Sequence, residues 1–194
     1  LEARGVLARC AAVLSGYLPT PEHVAVVADA VARVRTHRPA APYFCDPVMG
    51  DDPKGLYIAE EAARALAVTL VPLADVTFPN RFELEWLSSQ PVTDIASAEN
   101  AARALGPSVT VATSIPAADD GLATIAITST DAWSSVSARQ DNVPNGTGDL
   151  LAGLYTGHSV NGCTVVNALK LSVSSVQKAI CFSATRDELN LIAI

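Results

Sequence analysis

An α/β fold in three layers, with a mostly parallel central sheet and helices on both of its faces, is what this sequence predicts. Three observations carry that prediction. Helical and strand patterns alternate along the chain, as successive strand–helix–strand units require. The 194 residues are 49% hydrophobic but only 5% aromatic, so Ala, Val and Leu must fill the interior. Close helix-on-sheet packing suits that composition better than a β-sandwich does. Finally, polar and acidic residues recur at the ends of the apolar strand segments, where open parallel sheets place a ligand crevice. The length fits one domain over residues 1–194, without internal repeat, coiled coil or long linker.

The elements follow in order. Residues 1–9 read as the end of a helix, and AAVLSG (11–16) as a short strand. Thr20 caps the next helix and Pro21 takes its first position, where a missing amide costs nothing. Val24, Val27, Ala28, Val31 and Val34 then recur at helical spacing, until Pro39 and Pro42 end the excursion. PYFCDPV (42–48) predicts a strand finishing at Asp46. Residues 60–70 form an Ala-rich helix, 74–77 a brief strand, and 80–87 a short helix capped by Asn80. A helix over 96–105 precedes the β-branched strand SVTVATS (108–114). Residues 122–129 and 132–137 predict an antiparallel hairpin turning at Ser129-Thr130-Asp131. Helices over 150–159 and 164–182 close the chain.

The net charge is −7 and no Lys/Arg cluster is present. That balance excludes nucleic-acid binding through phosphate neutralisation. It still admits a small phosphorylated ligand, which backbone amides and a bound cation can hold. Cys10, Cys45, Cys163 and Cys181 are widely spaced, form no CxxC pair and sit in apolar segments. They predict buried free thiols in a reducing, cytoplasmic setting. No apolar stretch is long enough to span a bilayer, so no membrane partner is expected. The opening LEARGVLARC has no signal-peptide core and no initiator Met, and already reads as helix. It predicts a chain that has lost an N-terminal portion.

Five strand ends carry candidate chemistry: Ser15-Gly16-Tyr17; Asp46 with Asp51 and Asp52 beyond it; Thr77 to Asn80 with Glu83; Thr113-Ser114; and Gly146-Thr147-Gly148-Asp149. In the last of these, two glycines permit a tight turn and close backbone approach. Amides at the start of the following helix favour negative charge, as phosphoryl transfer needs, and Asp149 could accept the proton of an attacking hydroxyl. Taken alone, Asp149 reads as a first-turn acid that complements the helix dipole; the other strand ends tip it toward catalysis. Asp46 and Asp51 supply hard oxygens of the kind Mg²⁺ takes, whereas Asp52 reads as a turn former. Glu83 divides evenly between orienting metal-bound water and serving as a helix-terminal acid. Tyr17 offers a flat apolar face to an aromatic ligand, or is a rim residue. Thr113 and Ser114 donate to phosphate or cap a strand. His23, His37 and His158 read as surface histidines, and Trp86 and Trp133 as packing residues.

The segments SGYLP (15–19), CDPVMGD (45–51), PNRFEL (79–84), VATS (111–114) and PNGTGDLLAGL (144–154) occur in an order and spacing that resembles the pyridoxal kinase branch of the ribokinase-like superfamily. The likeness runs from Leu14 almost to the end. The related hydroxymethylpyrimidine kinases share DPVM and PN..E but usually carry Cys at the place of Asp149. The resemblance implies a ribokinase-like α/β/α fold and ATP-dependent phosphorylation of the 5′-hydroxymethyl group of pyridoxal, pyridoxine or pyridoxamine. It also implies Mg²⁺ and a monovalent cation (K⁺ or Na⁺). By motif position, Asp149 would be the base, and Gly146, Thr147 and Gly148 the anion hole. Asp46, Asp51 and Glu83 would lie around ATP–Mg²⁺ and the cation, with Asn80, Thr113 and Ser114 beside the nucleotide and Tyr17 against the pyridine ring.

Two departures from the family stand out. Phe78 occupies the place of a usual Thr whose hydroxyl helps hold phosphate or cation, and Thr77 points the other way along the strand. The family's leading βα units and much of its vitamin pocket also have no counterpart here. Either those residues precede Leu1, or the protein is a truncated relative with an exposed sheet edge and apolar faces, which predicts a homodimer formed over that surface or a chain without kinase activity. The alternatives are therefore a non-catalytic nucleotide-binding relative and a kinase for hydroxymethylpyrimidine or a sugar.

Overall fold

In the computed structural model, residues 4–140, 143–183 and 188–191 are described. The elements run β1 (Val13–Ser15), α1 (Pro21–His37), β2 (Tyr43–Cys45), β3 (Gly50–Asp51), β4 (Gly55–Leu56), α2 (Glu60–Leu73), β5 (Val76–Thr77), α3 (Arg81–Ser88), α4 (Ile95–Arg103), β6 (Val109–Pro116), β7 (Gly121–Ile127), β8 (Ala132–Ala138), α5 (Thr147–Val160) and α6 (Val165–Ser183). Of the helix expected over residues 1–9, the described residues show a 3₁₀ turn at Leu7–Arg9, and Leu1, Glu2 and Ala3 fall outside the described residues.

One sheet holds six strands in the order β1-β2-β5-β6-β7-β8. Its first half is parallel: β1 with β2, β2 with β5, and β5 with β6. The second half is antiparallel, and more of it is so than the sequence reading allowed. β7 and β8 form the expected hairpin, but β6 also pairs antiparallel with β7. The hairpin turn closes where Thr128 and Asp131 exchange hydrogen bonds, at Thr128 N to Asp131 O (2.8 Å) and Asp131 N to Thr128 Oγ1 (2.9 Å).

Side-chain alternation on the strands sorts the core into layers. Phe44 of β2 and Val111 of β6 face α5 and α6, packing with Leu151, Tyr155, Leu169 and Val173. Tyr43 and Cys45, on the other face of β2, pack with Val24, Val31, Leu66 and Leu70 of α1 and α2. Ala112 and Ile115 of β6 join Ala98 and Ala101 of α4. The small alanines let α4 sit close to the sheet, as the low aromatic content required. Asp75 ties the parallel half together: its Oδ2 accepts from the Tyr43 amide (2.7 Å) and from Arg35 of α1 (2.7 Å).

Pro21 opens α1 as expected, although the Thr20 hydroxyl bonds Glu22 and His23 side chains instead of a helix amide. Asn80 caps α3 in a full capping box: its side chain accepts from Glu83 N (2.9 Å) and Glu83 Oε2 accepts from Asn80 N (2.9 Å). The four cysteines are free, but only Cys45 is buried; Cys181 is exposed, because it lies on the outer side of α6. His158 is half-buried, unlike the surface residue expected, and its Nε2 has neither solvent nor a hydrogen-bond partner. Among the described residues no helix is long and apolar enough to cross a membrane.

Candidate functional site

The carboxyl ends of the parallel strands open into a cavity of about 490 Å³. Ten of the eleven candidate site residues line it: Asp46, Asp51, Asn80, Glu83, Thr113, Ser114, Gly146, Thr147, Gly148 and Asp149. Tyr17 does not. It follows β1 at the sheet edge, with 55% of its surface exposed. Asp52 also stays outside, held by Arg81 in an ion pair, which agrees with its reading as a turn residue.

One wall is the start of α5, three residues earlier than the sequence pattern placed it. Gly146 is the N-cap at φ 90°, in the left-handed region where a side chain would be strained. Thr147, Gly148 and Asp149 therefore fill the first turn, and their amides have no intrahelical acceptor. Nothing lies within 4 Å of where a Cβ on Gly148 would stand, so a ligand can approach the backbone there. Asp149 is exposed at the cavity wall.

The opposite wall is acidic. Asp46 directly follows β2, with 7% of its surface exposed. Burial pushes its carboxyl well above the usual carboxylate range, and the charges of Glu83 and Asp149 push it further; the Val48 amide opposes them. Val48 itself sits at φ 41°, a backbone conformation that costs a β-branched residue about 1–3 kcal/mol. Glu83 is 2% exposed and its carboxylate is fully engaged. Oε1 accepts from Met49 N (2.7 Å) and Gly50 N (3.4 Å), while Oε2 accepts from Asn80 N. Burial nevertheless lifts Glu83 to about 7. Tyr57, which the sequence reading missed, lines the same wall, its hydroxyl raised to about 12 by burial and then by the surrounding acids.

A third wall comes from β5 and β6. The β6–β7 register shifts between Ala112 and Ile115, and Ser114 within that bulge has φ 59°. The bulge turns Thr113 and Ser114 toward the cavity, a common device for re-aiming side chains at a site. Phe78 lines the cavity and is also core: it stacks near Phe44 at 6.3 Å and meets Tyr155 edge-on at 5.5 Å. The Thr77 hydroxyl donates to Cys45 O (2.9 Å) and faces away. Neither side chain gives the cavity a hydroxyl.

Hard carboxylate oxygens from Asp46 and Asp51 fit the chemistry of Mg²⁺, which takes one or two protein carboxylates and completes its shell with phosphate and water. Among the described residues no group of three or more His, Cys, Asp or Glu forms a metal cage. Asp46 is the freer of the two acids proposed as metal ligands, since Glu83 is committed to three amides.

The buried acids make stability pH-dependent. Between the ordinary value of 4.5 and about 7, folded Glu83 keeps a proton that the unfolded chain has released. Stability therefore falls as pH rises through that window, and Asp46 acts in the same direction. Melting temperature of the ligand-free protein should be higher at about pH 5.5 than at about pH 8, by roughly 2 kcal/mol from Glu83 alone, or about 4–8 °C. Asp46→Asn, which removes one buried charge, should flatten that slope and raise the melting point at the alkaline end. A melting point that climbs with pH over this range would contradict the assignment.

A family model for phosphomethylpyrimidine kinase matches residues 5–190. The pyridoxal kinase of Corynebacterium diphtheriae is 36% identical over 200 residues, covering 100% of this chain and 71% of that protein. The pyridoxal kinase of Leifsonia xyli is 42% identical over 183 residues, covering 91% of this chain and 64% of that protein. For the pyridoxal kinase of Deinococcus radiodurans the figures are 39% over 188 residues, 91% and 63%. Among solved structures, Leishmania donovani pyridoxal kinase in complex with ADP and pyridoxamine matches at TM-score 0.91 and 29% identity, covering 100% of this chain and 72% of that one. Its complex with ADP and pyridoxine matches at TM-score 0.89 and 32% identity, with 99% and 71% covered. The chain thus spans 63–71% of the length of these curated relatives.

Proposed function

Because this chain belongs to the phosphomethylpyrimidine kinase family, in its pyridoxal kinase branch, we propose that it transfers the γ-phosphoryl group of ATP to the 5′-hydroxymethyl group of a B6 vitamer. The observation that carries the proposal is the start of α5: free amides at a positive helix terminus, with a carboxylate on the same turn and open space above Gly148. Nucleotide phosphates lie against the Thr147, Gly148 and Asp149 amides, where the helix dipole favours them. Asp149 takes the proton of the vitamer hydroxyl as its oxygen attacks phosphorus, and ADP departs with the electrons of the broken P–O bond. The amides meet the negative charge on the transferring oxygens, and their fixed position supplies the stabilisation. Mg²⁺, held by Asp46 together with phosphate, would neutralise charge on the β- and γ-phosphates. Glu83 keeps the Met49–Gly50 loop and Asn80 in register beside it. Thr113 and Ser114 present hydroxyls to the phosphate side of the cavity.

The test is a coupled assay that follows ADP release with pyridoxal, pyridoxine, pyridoxamine and hydroxymethylpyrimidine as competing acceptors. Phosphorylation of a B6 vitamer in preference to hydroxymethylpyrimidine is the expected result; preference for the pyrimidine moves the chain to the other branch. Tyr17 lies outside the cavity with 55% of its surface exposed and so contributes no ring to it, which favours a second reading, nucleotide binding without transfer. Calorimetry that shows ATP binding while the assay shows no turnover selects that reading.

A further inference from the structure

We propose that β8 is the interface to a second copy of this chain, pairing with itself antiparallel across a two-fold axis so that two sheets join edge to edge. β8 is the last strand of its sheet, and among the described residues nothing pairs with its outer side. The other edge, β1, where the sequence reading places a homodimer, is three residues long. β8 has seven, AWSSVSA, with no charge, no proline and no bulge in its register with β7. Charges, prolines and bulges are the devices that keep an edge strand single. Val136 on this edge is 54% exposed. Residues of an antiparallel strand turn their backbone groups alternately to one neighbour and the other. The Thr128 N to Asp131 O bond (2.8 Å) puts Asp131, and by alternation Trp133, Ser135 and Ser137, on the side bonded to β7. Ala132, Ser134, Val136 and Ala138 therefore turn their amides and carbonyls outward.

Two constraints fix the register. Outward groups must meet outward groups, and one two-fold axis must relate the two strands. An axis through Ser135 meets both. Ala132 then lies opposite the partner's Ala138 and Ser134 opposite the partner's Val136, so every outward amide and carbonyl is satisfied. Ser135 meets the partner's Ser135 in a non-hydrogen-bonded pair, where side chains stand closest and two hydroxyls can bond. Charge selects the same axis. One residue beyond each end of the strand, Asp131 comes opposite the partner's Arg139, and two-fold symmetry makes that pair twice. Both residues are exposed, and among the described residues Arg139 has no hydrogen-bond or ion-pair partner. Axes through Ser134 or Val136 also match outward groups, but they separate Asp131 from Arg139 and leave outward groups unpaired at the strand ends. Ser137 and Ala138 line the cavity as well, so the interface adjoins one of its walls.

Sedimentation velocity over roughly 1–500 µM, where small interfaces associate, reads the assembly of wild type, Val136→Pro, Asp131→Arg and Arg139→Asp, each with a thermal melt. Wild type should pass from monomer to dimer with concentration, and the dimer should weaken as salt rises. Val136→Pro removes an outward amide and leaves the β7 ladder intact, so it should melt near wild type and stay monomeric. Should it fail to fold, the charge variants decide alone. Asp131→Arg and Arg139→Asp each bring like charges together at both ends of the interface, and each should weaken the dimer by about tenfold or more. Mixed with one another, these two variants recover both opposite-charge pairs, so a heterodimer should form with an affinity close to wild type. A chain that stays monomeric throughout overturns the proposal. So does a dimer that tolerates both charge variants, which places the interface on another face.

Discussion

Asp149→Asn should lower kcat for vitamer phosphorylation by about 10²–10⁴-fold, the usual worth of a positioned general base, with ATP affinity retained. Asparagine keeps the shape of the side chain and its place in the first turn of α5, so the amides of Thr147 and Gly148 stay where they are. It cannot take a proton from the attacking hydroxyl. The charge it removes also bears on Asp46, whose carboxyl Asp149 helps to push up, so nucleotide with its cation should bind at least as well as before. The competing account makes Asp149 only a complement to the helix dipole, worth about 0.3–1 kcal/mol. That account predicts a melting point lower by about 1–4 °C and a rate close to wild type. Steady-state kinetics, calorimetry with ATP and a thermal melt on the same variant separate the two. Turnover within a few-fold of wild type would return Asp149 to the role of cap.

Much of this arrangement was visible in the residues, for identifiable reasons. α1 announces itself because Pro21 marks its start and valines at helical spacing mark its buried face. α3 does so through Asn80 and Glu83, whose spacing is a capping box. The strand end carrying Asp46 could be placed because the apolar run Tyr43–Cys45 stops there. What stayed hidden depends on contacts distant in sequence. β3 and β4 have two residues each, too few for any alternation to show, and their hairpin is sensed only through Gly50, where a Cβ would stand 2.8 Å from Gly55 O. The bulge at Ser114 leaves a β-branched run unbroken on paper, while in space it turns two hydroxyls into the cavity. The stripe of α6 that lines the cavity, Val173, Val176, Gln177 and Ile180, could not be singled out because α6 carries apolar residues on both its inner and outer sides, Leu171 being 47% exposed. Periodicity gave the helix but not the face that meets a ligand. Tyr17 is the opposite case: its motif is legible, but a motif does not report which way a loop turns at a sheet edge, and the residue lies outside the cavity.

Glu83→Ala should destabilise the fold by about 3 kcal/mol or more and lower activity with it, on the reading that Glu83 positions the loop beside the cavity. The carboxylate satisfies amides from two separate segments: Met49 and Gly50 after β2, and Asn80 before α3. Alanine leaves these donors facing a buried void, and each orphaned amide costs about 1–3 kcal/mol. The Asn80 Oδ1 to Glu83 N bond survives, so α3 keeps half of its capping box and should still form. The loss instead falls on the loop that carries Asp46 and the strained Val48 toward the cavity. Once the Met49 amide is released, only the Tyr57 N to Met49 O bond (3.0 Å) still ties that residue, so Val48 can relax from φ 41° and Asp46 shifts with it. For a chain of this length the melting point should drop by about 6–12 °C. In kinetics below that melting point, kcat/KM for ATP should fall further than KM for the vitamer rises, since the displaced groups lie on the nucleotide side. Glu83→Gln makes the decisive comparison. Its carbonyl oxygen can keep the Met49 bond while its NH₂ group opposes the Asn80 amide, so it should recover part of the stability and most of the loop geometry. If Glu83→Gln were as inactive as Glu83→Ala while melting near wild type, the negative charge itself would matter at the site, and a direct role with the cation would replace the positioning role.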